Sequence, residues 1–169
     1  MTAFIALLRA VNVGGTGKLP MAELVAMAES AGFRRARTYI ASGNLLFESA
    51  RSESEVKEIL EASLATYAGK HVGVVVRTGE EMAAVLAANP FPENPPNRTV
   101  AIFLDEPPPA DTLAQVVAPD GEEVRLGARE IYVRYGEAMG RSRLRIPAAR
   151  VGTARNINTV TRLVALASA

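Results

Sequence analysis

The sequence predicts an α+β fold of two ferredoxin-like (βαββαβ) halves packed together, the second half degenerate. Three observations carry this. Strand–helix–hairpin–helix order occurs twice, in residues 1–78 and again in 79–169. Both halves contain a continuous apolar run of strand length, 2–11 in one and 99–104 in the other. Two helical stripes follow capping boxes, Ser52 with Glu55 and Thr78 with Glu81. In such a box a hydroxyl and a carboxylate satisfy orphan N–H groups of the first turn reciprocally.

Each element follows from its residues. The run 2–11 is too short for a typical helix and ends at Asn12-Val13-Gly14-Gly15, which suits a buried central strand. Pro20 opens a helix, where its missing N–H costs nothing; Met21, Leu24, Val25 and Ala28 share a face, and Gly32 ends it. Residues 37–40 and 45–47 flank Ser42-Gly43-Asn44 as a tight hairpin. Val56, Ile59, Leu60, Leu64 and Tyr67 give the next helical stripe, and residues 72–77 a β-branched strand. The second half starts with a helix carrying Met82, Val85 and Leu86, stopped by Asn89-Pro90. The Pro- and Asn-rich stretch 90–98 is a connecting loop, and 99–104 a buried strand. A short helix with Leu113, Val116 and Val117 precedes the turn Pro119-Asp120-Gly121. A hairpin about Gly127-Ala128, a helical piece over 141–149 and a last helix over 156–167 close the chain. The second half has no clear final strand. With only the loop 90–98 between them, the halves are expected to form one compact unit.

The chain has 169 residues, 19 Lys+Arg, 18 Asp+Glu, one His and no Cys or Trp. That length buries about 70% of the surface exposed by an unfolded chain. Without Cys there is no disulfide, thiolate zinc site or Cys nucleophile, and the single His71 excludes a His-pair metal site. No metal and no cofactor is expected. The longest apolar runs are far short of a membrane span, so a cytoplasmic location and no membrane partner are expected. The net charge of +1 hides an asymmetry, since after Glu137 the only charged residues are Arg141, Arg143, Arg145, Arg150, Arg155 and Arg162. Arg outnumbers Lys 16 to 3, so most of this excess reads as composition.

Three clusters stand out as candidate sites. The first runs from Arg9 through Asn12, Gly14 and Gly15 to Lys18. A strand, a glycine-rich loop and a helix can cradle phosphate with backbone N–H groups. It departs from the P-loop, which wants Gly where Asn12 stands and Ser or Thr where Leu19 stands. The second is Ser42-Gly43-Asn44, whose residues also suit turn chemistry. The third combines Ser142-Arg143 with Arg155, Asn156, Asn158 and Thr159 at the start of the last helix. One Asn suffices as an N-cap; the excess of polar groups, with Arg beside a helix N-terminus, favours carboxylate or phosphate. The pairs Asp105-Glu106 and Glu122-Glu123 read as solvated rim. With only 5% aromatics there is no sign of a base-stacking face.

The stretches Leu7-Leu8-Arg9-Ala10-Val11-Asn12-Val13-Gly14-Gly15, Pro20-Met21-Ala22-Glu23-Leu24 and 37–47 resemble the opening of the bacterial family called domain of unknown function 1697. Asn89-Pro90-Phe91, Ser142-Arg143-Leu144 and 153–163 resemble its middle and end. The chain departs from that pattern at Ala10, Arg143 and Ile157, where Gly, Lys and an aromatic are usual. The resemblance implies an α+β fold and brings no activity with it.

Three functional readings follow. The first is a binder of an anionic ligand, such as a nucleotide or an RNA phosphate, because Arg and Asn clamp and orient but are poor proton shuttles at neutral pH. The second is a metal-independent enzyme on a phosphorylated or carboxylated small molecule, with Ser42 or Tyr39 as the reacting group. The third is a homo-oligomeric scaffold built by edge-strand pairing. The sequence names neither the ligand nor the oligomeric state.

Overall fold

The computed structural model of the chain describes residues 1–9, 19–40 and 43–169. The chain divides into two compact units, Met1–Met82 with Leu163–Ala169, and Ala83–Arg162. Each unit is built on one four-stranded antiparallel sheet.

In the first unit the strands are β1 (Thr2–Leu8), β2 (Arg34–Thr38), β3 (Asn44–Ser49) and β4 (Val74–Thr78), in the order β2-β3-β1-β4. Helices α1 (Met21–Ser30) and α2 (Glu53–Ala68) cover one face of this sheet. Alternation along the strands sends Phe4, Ala6, Leu8, Phe47, Val74 and Val76 to that face, where they meet Leu24 and Leu60. Phe47 stacks with Phe33 at 4.5 Å and with Phe4 at 5.7 Å between ring centroids. The opposite face, with Ile5, Leu7, Leu46, Val75 and Arg77, is buried as well. The Ser52–Glu55 capping box forms as expected, and Gly69 closes α2 in the left-handed region at φ 70°.

The edge strand β2 is blunted. Its register with β3 shifts between Arg34 and Arg37, and Arg35 takes φ 53°. Such a bulge twists an edge away from further pairing. The β2 guanidiniums serve instead as C-terminal partners for the last helix, α4 (Ile157–Ala167). Arg37 donates to the Leu166 carbonyl at 2.6 Å and Arg35 to that of Ala169 at 2.9 Å.

The second unit repeats the sheet with β5 (Thr99–Phe103), β6 (Glu123–Leu126), β7 (Glu130–Arg134) and β8 (Thr153–Asn156), in the order β6-β7-β5-β8. Its core is Val100, Ile102, Leu104, Val124, Ile131 and Val133, covered by Val116, Leu144, Ile146 and Ala148. Here the predicted helices shrink. The helix expected around Leu113 is a single 3-10 turn, Leu113–Gln115, and the piece over 141–149 is two, Met139–Arg141 and Pro147–Val151. Prolines 107–109 and 119 confine the first, and Pro147 interrupts the second.

The missing last strand is present as β8. It pairs with β5 from Phe103↔Thr153 to Val100↔Asn156. Its buried residues are Thr153 and Arg155 while Ala154 is exposed, so it carries no apolar alternation to read. Helix α3 (Gly79–Ala87) begins from the Thr78–Glu81 box, at 3.1 and 2.8 Å. Its last turn is closed by three donors. Ala88 and Asn89 backbone N–H groups reach the Ala84 and Leu86 carbonyls, and the Tyr132 hydroxyl donates to that of Val85 at 2.7 Å.

Candidate functional site

Among the first-half candidates, Asn12, Gly14, Gly15 and Ser42 lie outside the described residues. Arg9 follows β1, its N–H donating to the Gly73 carbonyl at 2.9 Å. Its side chain lies over Gly73, so close that a Cβ there would stand 3.0 Å from Arg9 Cδ. Gly43 takes φ 85° and accepts from the Leu8 N–H at 2.9 Å. Asn44 is fully buried, its amide donating to the Tyr39 carbonyl at 2.8 Å while Tyr39 N–H donates to the Asn44 carbonyl at 3.0 Å. Gly43 and Asn44 therefore close the β2–β3 hairpin.

Ser142 and Arg143 fasten one segment to another. The Ser142 hydroxyl donates to the Glu122 carboxylate and accepts from the Leu144 N–H at 3.2 Å. Arg143 donates to Asp120 from its backbone and from its guanidinium, both at 2.9 Å. These bonds hold the Asp120 carboxyl below its ordinary pKa and raise the guanidinium's. Glu122, expected on the solvated rim, is buried, because Ser142 supplies it with a hydroxyl donor. Burial, with Glu122 nearby, also raises the Tyr135 hydroxyl's pKa.

At the junction of β8 and α4 the polar cluster divides. Arg155 is buried, and burial lowers its guanidinium to about 10. It donates to Thr153 Oγ1 at 2.7 Å and to the Ala154 carbonyl at 2.9 Å, both on β8. Asn156 Oδ1 accepts from the Thr159 N–H at 2.9 Å and is the N-cap. Asn158 is exposed and Thr159 buried. The first turn of α4 carries no acidic residue, unlike those of α1, α2 and α3.

Sequence reasoning missed a groove of about 480 Å³ lined by Glu93, Asn94, Pro95, Arg98, Arg134, Gly136 and Glu137. Its wall is pre-built. Asn94 Nδ2 donates to the Arg98 carbonyl at 3.0 Å and to Thr99 Oγ1 at 2.9 Å, and Tyr135 N–H donates to the Arg98 carbonyl at 2.9 Å. Arg134 makes a long ion pair with Glu123 at 3.7 Å. Among the described residues the side chains of Glu93, Arg98 and Glu137 make no ion pair or hydrogen bond. The register places Arg134 opposite Thr99 and Asn156 opposite Val100, so groove and α4 start share one end of the sheet. Two signals pointed here: the Pro- and Asn-rich loop 90–98 and the Arg–Tyr–Gly–Glu stretch after the last hairpin. Neither has a spacing that marks a site before folding brings them together. Among the described residues, no group of three or more Asp, Glu, His or Cys side chains is placed to hold a metal ion, and no helix is long and apolar enough to cross a membrane.

Two sheets of ferredoxin-like strand order, the second with its helices reduced, define an α+β protein of two ferredoxin-like halves with a polar groove on the second. The chain belongs to the family described as "Protein of unknown function (DUF1697)", whose model matches residues 1–132. The conserved bacterial protein SP0830 from Streptococcus pneumoniae has a similar structure, with a TM-score of 0.79 and 24% identity over 98% of each chain. That likeness is one of fold. No curated protein matches the chain.

Proposed function

We propose that the protein binds a carboxylate- or phosphate-bearing ligand in the groove of the second unit. The observation that supports this reading is Arg98, a half-buried residue of the groove lining whose side chain makes no ion pair or hydrogen bond among the described residues, with Arg134 in the same lining. A guanidinium offers a planar fork of donors matched to carboxylate and phosphate oxygens. The volume lies within the range of about 300–1,000 Å³ usual for small-molecule sites. The start of α4, with Asn156 and exposed Asn158, adds the positive end of a helix dipole at the same end of the sheet. Arg155 braces β8 on its buried face, and Ser142 with Arg143 fixes the segment that leads toward β8. All of these residues belong to the second unit.

The test is a titration with inorganic phosphate and with N-acetylglycine, read by thermal shift in the parent and in Arg98→Gln. At 100 Kd a site specific for the native state gains about 2.7 kcal/mol. That raises Tm by about 5–11 °C at roughly 2–4 °C per kcal/mol. The shift should vanish in the variant. Equal shifts in the two proteins would remove Arg98 from the function.

A further inference from the structure

We infer that the ligand of this groove is a zwitterion, an amino compound carrying both an ammonium and a carboxylate, such as a free amino acid or a short peptide. The inference rests on the binding reading above and concerns the two acids it leaves unused. The groove presents Arg98 and Arg134 together with Glu93 and Glu137. None of these four is ion-paired with another, and the only ion-pair partner any of them has among the described residues is Glu123, which Arg134 meets at 3.7 Å, outside the groove. Opposite charges gathered in one groove but held beyond ion-pair distance are left for a ligand to complete. A simple anion would satisfy Arg98 but face two like charges, and like-charge approach is a common source of discrimination. A simple cation meets the converse penalty at Arg98 and Arg134. A ligand bearing both signs gains at each end. The Asn94–Arg98 turn, pinned by the two N–H donors of Asn94 Nδ2 to the Arg98 carbonyl and Thr99 Oγ1, holds Arg98 and Glu93 on one scaffold.

The experiment compares glycylglycine with N-acetylglycine, which lacks the ammonium, and glycinamide, which lacks the carboxylate. It is run at pH 6.5 so that an α-amino group of pKa about 8 stays charged. Binding is read from the backbone amide resonances of Asn94, Arg98, Gly136 and Glu137. Glycylglycine should bind at least fivefold more tightly than either analogue. Glu93→Gln/Glu137→Gln should erase that gap while leaving N-acetylglycine as tight or tighter, and Arg98→Gln should weaken both carboxylates at least fivefold. A gap below fivefold, or one that survives in the double variant, overturns the zwitterion and leaves the anion reading standing. No saturable shift with any of the three probes overturns both. The substituted side chains are exposed or half-buried, and unchanged melting curves confirm that the variants fold.

Discussion

Gly152→Ala tests how tightly β8 is laid on the sheet. Gly152 has φ −105° and ψ −177°, an extended conformation open to any residue, so backbone freedom does not call for glycine. Space does. A Cβ would stand 2.7 Å from the Phe103 carbonyl oxygen, 2.8 Å from Leu104 Cδ2 and 3.0 Å from Ile102 Cγ2. The first of these is backbone of β5, whose Phe103 is the ladder partner of Thr153, so it cannot rotate away. Alanine must push the chain off β5 just where β8 begins to pair. Overpacking of this kind costs about 1–3 kcal/mol, and a backbone obstacle puts the cost in the upper part of that range. At roughly 2–4 °C per kcal/mol, Tm should fall by about 4–12 °C. Gly140→Ala is the control, since a Cβ there meets nothing within 4 Å. Its effect should stay within about 1 kcal/mol and tend upward, through the unfolded chain. Thermal and urea unfolding of both variants decide the matter. A Gly152→Ala protein that melts with the parent, or a Gly140→Ala protein that loses as much, would refute the reasoning.

Two predictions concern pH. The Asp120 carboxyl, hydrogen-bonded by Arg143, has a folded pKa below its unfolded value of about 3.9, so its contribution is present above about pH 4 and is lost as pH falls through the lower folded value. Asp120→Asn should flatten the stability profile between pH 5 and 2 in urea titrations; a profile that keeps the parent's slope counts against the clamp. Tyr132 is raised to about 12 by burial and by Glu130, so the unfolded chain ionises first and stability should fall as pH climbs from about 10 to about 12. Tyr132→Phe should remove that alkaline loss and cost about 1 kcal/mol at neutral pH, the bond to the Val85 carbonyl. Persistence of the alkaline slope in the Phe variant would show another group responsible.

Legibility in the sequence followed the strength of the local signal. The apolar runs, the capping boxes at Ser52 and Thr78 and the hairpin at Ser42-Gly43-Asn44 act through neighbouring residues; the boxes form, and the strands and the hairpin form as far as the described residues reach, residues 10, 11 and 42 lying outside them. β8 was invisible because a strand whose inward residues are Thr153 and Arg155 carries no hydrophobic period. The helices expected in the second half shrink to single 3-10 turns where prolines interrupt them: Leu113 sits in one such turn with its side chain exposed, and Leu144 packs on the core from the extended stretch between the other two. Charge was misjudged where partners were distant in sequence. Glu122 reads as solvated because its donor Ser142 lies 20 residues on, and the stretch 90–98 reads only as a loop because the end of β7, which bonds Arg98, is distant in sequence.

The repeat itself separates what the fold requires from what the second half adds. Arg77 stands opposite Ile5 and Arg155 opposite Ala101, each next to last in its strand. Each is buried and donates to the carbonyl of the preceding residue, at 3.1 Å from Arg77 and 2.9 Å from Arg155. The strand's last residue, Thr78 or Asn156, then caps the following helix through the N–H three residues on. The strand–Arg–cap–helix corner is thus a feature that both sheets share. The halves part company after the first strand, where α1 is answered by a single 3-10 turn, and again after the third. β3 is followed by α2, whereas β7 is followed by Tyr135, Gly136 and Glu137 and a 3-10 turn. Arg134, Gly136 and Glu137 of the groove fall at that divergence, and its other wall is the loop ahead of β5. A site made from segments the repeat does not hold in common is free to change without disturbing either sheet, which is the relation expected between a scaffold and the function grafted on it.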